Sequence, residues 1–531
     1  MVRKIWALLI VLALFLSLVA IAGCNKKDNA MTKKDELVLA LVTAEPDTGL
    51  DTITGWGRYG SPLFQSTLLS RDVNLNIIND LATGYEVSSD GLVWTVKIRN
   101  DVKFSDGQPL TAEDVAFTFD TAAKSGSVVD LSVMQNVQVI DPYTVKFTLK
   151  HPASTFVVQL ISTGIVPKHA YGKDYAEKPL GSGPFKFVQW DKGQQLIVEA
   201  NPLYYREKPA FKKITFLFLA EDSAFAAAKS GKVDIAVIPA TLARQNVPGY
   251  TLLALQTVDN RGIGFPTEKA GGKTKEGYPI GNDVTSDIAI RKAINIGIDR
   301  KAMVDGVLDG YGTVAYSGCD HLPWWNPDTV ITDKDIEGAK KILADAGWKD
   351  LNGDGFLEKG SVEAQFTLLY PASDQVRQSL AIAAADQIKA LGIKVTVEGK
   401  SWDDIQPLMH ANPVLFGWGS HDPLEMYNLY YSKSGGVEWY NAGFYRNPTV
   451  DAYLDKALAA NSEAEALPYW KKAQWDGQTG FSALGDAPWA WMVNIKHLYL
   501  VRNDLEIGKQ KIQVHGSGWP LTDNIANWHW K

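Results

Sequence analysis

The stretch whose residue types and spacing come nearest to chemistry is Leu415 to Pro423, LFGWGSHDP. An apolar run ends at Phe416 and passes straight into a polar turn in which Gly417 and Gly419 flank Trp418, followed by His421 and Asp422. A rigid aromatic surface of roughly 150–250 Å² in a glycine-containing loop at a strand end suits the wall of a ligand cleft. Bond-making chemistry is poorly served by the rest of the chain. It has no HExxH and no GxSxG, and its eight histidines lie away from any Ser or Cys set in a strained glycine turn. Gly271-Gly272-Lys273-Thr274 ends like a phosphate loop, but Thr267 stands where the first glycine belongs, so the cradle is incomplete. The sequence therefore reads as a binder and not as an enzyme, with no cofactor.

Two further clusters imitate metal sites. Asp350-Leu351-Asn352-Gly353-Asp354-Gly355 resembles the first half of a calcium loop, but the twelfth position is Ser361 instead of a bidentate Glu, so an Asx-rich turn is expected. Cys319-Asp320-His321 sets three ligand types side by side, where adjacent side chains rarely converge on one metal and no fourth ligand is evident. No metal site is expected at either. Other aromatics sit in loops, notably Trp324-Trp325, Trp402, Trp439, Trp489 and Tyr59 of Gly55-Trp56-Gly57-Arg58-Tyr59-Gly60, with core packing the competing use of each.

The elements that must hold these loops are α/β in texture. Phe185 to Trp190 and Leu196 to Glu199 form a hairpin about Asp191-Lys192-Gly193. Ile214 to Leu219, a short helix Ala224 to Lys229 ended by Gly231, and Val233 to Ile238 make a tight strand–helix–strand unit with parallel strands. Leu37 to Val42 opens the folded part as a buried strand, and a helix is expected from Ser61-Pro62. Between these, Val93 to Ile98 alternates with period two and Thr111-Ala112-Glu113-Asp114 has the form of a capping box, so a small α+β subdomain is inserted. Beyond residue 262, helices are expected over 288–308, 336–346 and 373–391, with a strand over 393–397. Strand texture in 491–494 and 498–501 returns the tail toward the first lobe.

The N-terminus gives the compartment. Met1 to Lys4 is basic, Ile5 to Ala20 is apolar and uncharged, and Ile21-Ala22-Gly23 precedes Cys24, the layout of a secretory signal. Removing residues 1–23 takes away two basic residues and no acidic one, moving the net charge from −7 to about −9. An acidic secreted chain offers no basic face for nucleic acid. Once Cys24 is used, Cys319 has no disulfide partner within the chain, so stability must come from core burial.

The chain resembles the extracellular solute-binding proteins of family 5, the peptide/nickel/opine group served by ABC importers. The resemblance is carried by Leu92 to Val115 (LVWTVKIRNDVKFSDGQPLTAEDV), Gly181 to Phe185, Asn201 to Tyr205, Ala227 to Asp234, Ile290 to Asn295 and Ala346 to Trp348, and spans about residues 37–530. It implies an α/β, two-lobed periplasmic-binding-protein fold of class II-like type with an extra inserted α+β subdomain. The expected divisions are 1–23 signal peptide; 24–36 tether; 37–68, 182–262 and 490–531 lobe I; 69–181 inserted subdomain; and 263–489 lobe II. The residues before Cys24 resemble a lipobox, which implies lipidation of Cys24 and anchoring at the extracytoplasmic face of the cell membrane. The lobes are expected to close on ligand like a hinged trap, and the protein, a monomer, to deliver it to ABC permease subunits.

In that family the loop holding Gly417, Trp418 and Gly419 lies against the ligand. Asp422 or Glu45 is then expected to take a positive end and His421 to offer a polar contact, with Tyr59 and Trp402 as further candidates. A short peptide is the expected ligand. A nickel or other metal chelate is the alternative, although the family's nickel pattern WG-x-x-x-DP stands here as WG-x-x-DP, the matching Arg is absent from Ile161-Ser162-Thr163-Gly164, and no His follows Asp422-Pro423 until His497. A non-transport accessory or sensing lipoprotein is a third reading, distinguished by whether permease and ATPase genes adjoin this one. Cys24→Ala is expected to release the processed protein from membranes without unfolding it; fractionation that still finds the variant in the membrane pellet after signal cleavage overturns the lipid anchor.

Overall fold

The computed structural model describes residues 35–531 apart from 43, 44 and 47. The expected leader, Cys24 and the tether as far as residue 34 lie outside the described residues. Among those described, no helix is long and apolar enough to cross a membrane.

The first lobe is built on a seven-stranded sheet in the order Tyr250–Leu255, His497–Arg502, Ile235–Val237, Glu36–Val42, Lys213–Phe218, Gln195–Ala200, Phe185–Asp191. The hairpin expected about Asp191-Lys192-Gly193 is present, with Phe187 opposite Val198. Lys213–Phe218, the helix Glu221–Lys229 and Ile235–Val237 form the expected parallel crossover. The two strands are not neighbours, however: Glu36–Val42 lies between them and pairs in parallel with both. That strand is apolar on both sides, and a strand covered on both faces takes a central place. Residues 61–66, expected to begin a helix, are not helical. Leu63 sits at φ +59, outside the right-handed helical region, and the Trp56 indole N–H donates to the Pro62 carbonyl at 2.7 Å, using an oxygen that a helix would need.

The inserted subdomain is a four-stranded antiparallel sheet (Ala82–Val87, Val93–Ile98, Thr144–Leu149, Met134–Asp141) covered by the helix Ala112–Ser125. Its core centres on Trp94, which stacks on Tyr85 and meets Phe156 edge-on. The capping box is closed as its spacing predicts: the Thr111 N–H donates to the Asp114 carboxylate at 2.9 Å, and the Thr111 hydroxyl accepts from the Glu113 N–H. Asp114 is buried because its other oxygen accepts the Lys168 N–H at 2.9 Å, tying the helix to the chain returning to the first lobe.

The second lobe is a six-stranded sheet, order Gly312–Val314, Trp489–Ile495, Asn260–Gly264, Val414–Phe416, Gln365–Pro371, Lys394–Lys400, with an apolar cluster on each face. One cluster gathers the helices Ile288–Gly297, Arg300–Val307, Ile336–Asp345 and Gln375–Lys389; the other gathers Leu424–Tyr430, Pro448–Leu458 and Glu463–Gln474. The single helix expected over 288–308 is two, because the Asp299 carboxylate accepts the Ala302 N–H and starts a new helix at Arg300. Trp489–Ile495 is hydrogen-bonded into this second sheet, so the return to the first lobe comes one strand later than the expected division at 489/490.

Two crossovers therefore join the sheets, one between Leu255 and Asn260, the other at Lys496. Asp259, on the first of them, is buried. Its carboxylate takes Arg261, His497 Nε2 at 3.2 Å and His515 Nδ1 at 2.6 Å, and its carbonyl accepts the Ile495 N–H at 2.8 Å. Burial pushes this carboxyl up, but Arg261 and His515 outweigh it and hold it well below the usual carboxylate range.

Asp350 accepts from the Gly353 and Gly355 N–H groups and Glu358 from Leu351, which makes the 350–358 segment a turn closed by its own backbone. The Cys319, Asp320 and His321 side chains diverge: the thiol meets the Ser317 hydroxyl, the carboxylate accepts the Tyr316 N–H, and the imidazole lies against Trp325. Thr111→Ala should cost about 1 kcal/mol, the usual worth of a cap, and Asp114→Ala about 2 kcal/mol, because it also strips the Lys168 N–H of its partly buried acceptor. Urea denaturation of the two variants checks the ranking, which equal losses would refute.

Candidate ligand cleft

A cleft of about 530 Å³ opens between the lobes, lined by the 55–62 loop, residues 65–71 and 158–162, the 417–425 segment and the 511–515 tail. The central segment leaves the strand Val414–Phe416, so a buried, doubly paired strand aims the turn that follows it. Trp418 is strapped to the first crossover strand in both directions: its N–H donates to Asn260 Oδ1 at 2.9 Å, and its carbonyl accepts the Asn260 N–H at 3.1 Å. The next carbonyl, Gly419, accepts the His515 N–H at 2.8 Å.

This close strapping explains the flanking glycines. A Cβ on Gly417 would lie 2.7 Å from the Arg261 guanidinium and the Asn260 carbonyl, and one on Gly419, at φ +139, would lie 2.0 Å from the Val258 carbonyl oxygen. The Trp418 ring is left half-buried in the cleft wall, 6.3 Å from the ring of Tyr440.

Three titratable side chains follow within one turn. His421 Nε2 lies 2.9 Å from the Ile512 carbonyl, a contact that requires this nitrogen to carry the proton. Burial holds the imidazole down to about 4, so it is neutral at pH 7 and offers Nδ1 as an acceptor. Asp422 Oδ1 accepts the Leu424 N–H at 2.9 Å at the start of the helix Leu424–Tyr430. Burial pushes its carboxyl up to about 6, against the pull of that N–H, Arg71 and Arg58. Glu425, one helical turn on, reaches back to accept the Gly419 N–H at 3.1 Å; burial, with Asp422 adding to it, pushes its carboxyl up to about 8. Arg71 in the same cleft is already engaged by Glu463, and Arg206 and Lys511 by Asp80 and Asp523, whereas Arg58 is exposed and lies over the Tyr59 ring. The cleft thus presents a flat aromatic surface beside two half-buried carboxyls that share no close ion pair. Such an arrangement favours a ligand with a cationic hydrogen-bond donor and an apolar body.

Of the residues singled out from sequence, Gly417, Trp418, Gly419, His421, Asp422 and Tyr59 line this cleft together. Glu45 and Trp402 do not. One Glu45 oxygen accepts both the Trp190 indole N–H and the Gly193 N–H, each at 2.9 Å, so that carboxylate is spent holding the 191–195 hairpin turn. Trp402 stacks on Phe416 at 6.0 Å, meets Trp439 edge-on at 5.3 Å and covers the Arg377 guanidinium, on a different surface. Sequence reasoning passed over Glu425 and Arg58. The signal for Glu425 was its place three residues after Asp422, the two being joined across one turn by the Glu425 N–H donating to the Asp422 carbonyl.

The family described as bacterial extracellular solute-binding proteins, family 5 Middle, matches residues 76–438. Protein XP55 of Streptomyces lividans is 34% identical over 486 residues, covering 88% of this chain and 85% of its own length. The oligopeptide-binding protein AppA of Bacillus subtilis is 30% identical over 503 residues, covering 86% and 88%. Among solved structures, NikZ from Campylobacter jejuni in complex with Ni(L-His) superposes with a TM-score of 0.75 at 26% identity, over 94% of this chain and 100% of its own. AppA from Bacillus subtilis in complex with a nonapeptide gives 0.67 at 26% identity, over 94% and 99%.

A carboxyl whose folded pKa is raised stabilises the fold fully below its unfolded value near 4 and loses that contribution as pH rises through the folded value. Glu425→Gln should therefore gain stability relative to the parent protein between about pH 5 and 8 and match it near pH 4. His421, whose depressed pKa acts in the opposite sense below about 6.5, is common to both proteins and cancels in the difference. Thermal unfolding across this range tests it; a difference that does not grow with pH removes the buried-acid description.

Proposed function

The chain belongs to the bacterial extracellular solute-binding proteins, family 5, the substrate-binding components of ABC importers, and from that membership we propose that it captures a short peptide with a free amino end. Its relatives are binding proteins and not enzymes. The observation that carries the peptide reading is the pair of half-buried carboxyls, Asp422 and Glu425, beside Trp418 in one cleft. A primary ammonium entering there would supply the counter-charge that Arg58, exposed and lying over Tyr59, supplies only at longer range, while the Trp418 face would cover the peptide's first residues. The cleft volume of about 530 Å³ falls in the range of small-ligand sites and favours a peptide of a few residues. The proposal includes a monomer lipidated at Cys24 and held at the extracytoplasmic face of the membrane, where it would hand its ligand to the permease.

A metal chelate is the second reading, favoured by neutral His421 in the same wall and by the solved relative with bound Ni(L-His). Calorimetry on Asp422→Asn and His421→Ala separates the two. A buried charge pair that loses one partner costs on the order of 3–5 kcal/mol, so Asp422→Asn should weaken free-amino tripeptides by about two decades or more. N-acetylated versions should bind weakly to both proteins. With nickel plus histidine, His421→Ala should be the more damaging substitution, since a neutral imidazole can ligate the metal. Changes below about 0.5 kcal/mol in every combination, the scale of an ordinary surface substitution, would place the site elsewhere.

A further inference from the structure

One part of the inserted subdomain reaches out of its own core. The strands Leu69–Arg71 and Ile77–Asn79 form a hairpin whose tip is closed by Asp72, which accepts the Asn74 and Asn76 N–H groups at 2.8 and 2.9 Å. At that tip Leu75 adopts φ +68, a left-handed conformation that is costly for a leucine. Its side chain is nevertheless only 3% exposed, and it belongs to the apolar cluster otherwise built from second-lobe residues such as Trp324, Met426 and Trp470. The strained turn is thus tied to a knob seated in the opposite lobe.

The same hairpin carries Arg71, 5% exposed, whose two terminal nitrogens meet the two oxygens of Glu463 at 3.1 and 2.6 Å. Arg71 also donates to the Leu75 carbonyl at 2.7 Å, so ion pair and knob are one unit. A second contact lies close by in sequence terms on the receiving side. The Ser154 N–H and hydroxyl donate to the Leu458 and Ala457 carbonyls, at 2.7 and 2.8 Å, at the C-terminal end of the helix Pro448–Leu458. Asn461 reaches the Ser89 carbonyl at 3.3 Å. All these contacts join the inserted subdomain to the second lobe, and none uses a crossover strand. Separating the lobes would expose the apolar Leu75 side chain to water and part Arg71 from Glu463, so the contacts favour closure whether or not the cleft is filled.

We propose that the 69–79 hairpin is a latch: Leu75, Arg71 and Ser154 hold the inserted subdomain against the second lobe without ligand and thereby set how much of the free protein is closed. The observed affinity of a closing protein is its intrinsic affinity scaled by the fraction in the competent state. Leu75, Glu463 and Ser154 therefore act as positioning residues whose loss weakens every ligand by the same factor, unlike Asp422, whose loss depends on ligand chemistry. That affinity consequence rests on the ligand-capture reading above; the latch itself does not.

The test is small-angle scattering on the full chain, stripped of ligand by unfolding and refolding, for the parent protein, Leu75→Asn, Leu75→Met and Glu463→Gln. Asn suits the left-handed turn and removes only the knob, while Met keeps an apolar knob. Leu75→Asn and Glu463→Gln should show a larger radius of gyration with cooperative thermal unfolding retained, and Leu75→Met should overlay the parent. Scattering curves of all four that superimpose overturn the latch, whether the common shape is open or closed. In a calorimetric arm with free-amino tripeptides, Leu75→Asn should weaken all members that bind by a common factor of about ten or more; factors that differ among peptides overturn the proposal. If no tripeptide binds the parent protein, the peptide reading fails while the scattering still decides the latch.

Discussion

The join between the two sheets is organised around one buried carboxylate. Asp259 lies where the chain first leaves the seven-stranded sheet for the six-stranded one, and it binds the second crossover through His497 and the Ile495 N–H. A charge so buried is tolerable only if its partners are fixed, and Arg261, His497 and His515 meet that condition. The two connections are thereby tied to each other along their length, with Thr257 donating to the Ile495 carbonyl beside the Asp259 contacts.

The Trp418 loop inherits its placement from this hub. Asn260, next in the chain, clasps Trp418 from both sides, and His515, which touches Asp259 through its side chain, holds Gly419 through its backbone. The arrangement demands backbone approaches that no side chain permits, hence glycine on each side of the tryptophan. The carboxyls of Asp422 and Glu425 are positioned in turn by N–H groups of the same segment. The second-lobe wall of the cleft and the join between the sheets are one continuous hydrogen-bonded structure.

How much of this was legible in the sequence follows from the range of each interaction. The capping box at Thr111–Asp114 and the hairpin about Asp191-Lys192-Gly193 are local, and their residues announce them. The loop at 417–422 was legible because a buried strand, two glycines and polar residues follow one another directly. Glu45 was misread because the partners that consume it, Trp190 and Gly193, are about 150 residues away in sequence. The helix expected at Ser61 fails for the same kind of reason: Gly181 and Gly183 pack against the backbone at 63–64, and that distant packing fixes a left-handed Leu63. The insertion of Glu36–Val42 between two later strands, and the reach of Glu425 back to Gly419, likewise depend on chain paths that periodicity does not encode.

Cys319 draws a different consequence from the packing. It is buried beside Ser317, Met426 and Gln474, and burial drives its thiol far above the ordinary range. Thiol–disulfide exchange runs through the thiolate, so this sulfur neither attacks a disulfide nor is readily oxidised while the fold is intact. An oxidising environment outside the cytoplasm then finds no reactive thiol in the folded lobes. Maturation of these lobes depends on no disulfide isomerase, and a cysteine introduced on the surface would be the sole reactive thiol they present, open to site-selective labelling in the otherwise unaltered protein.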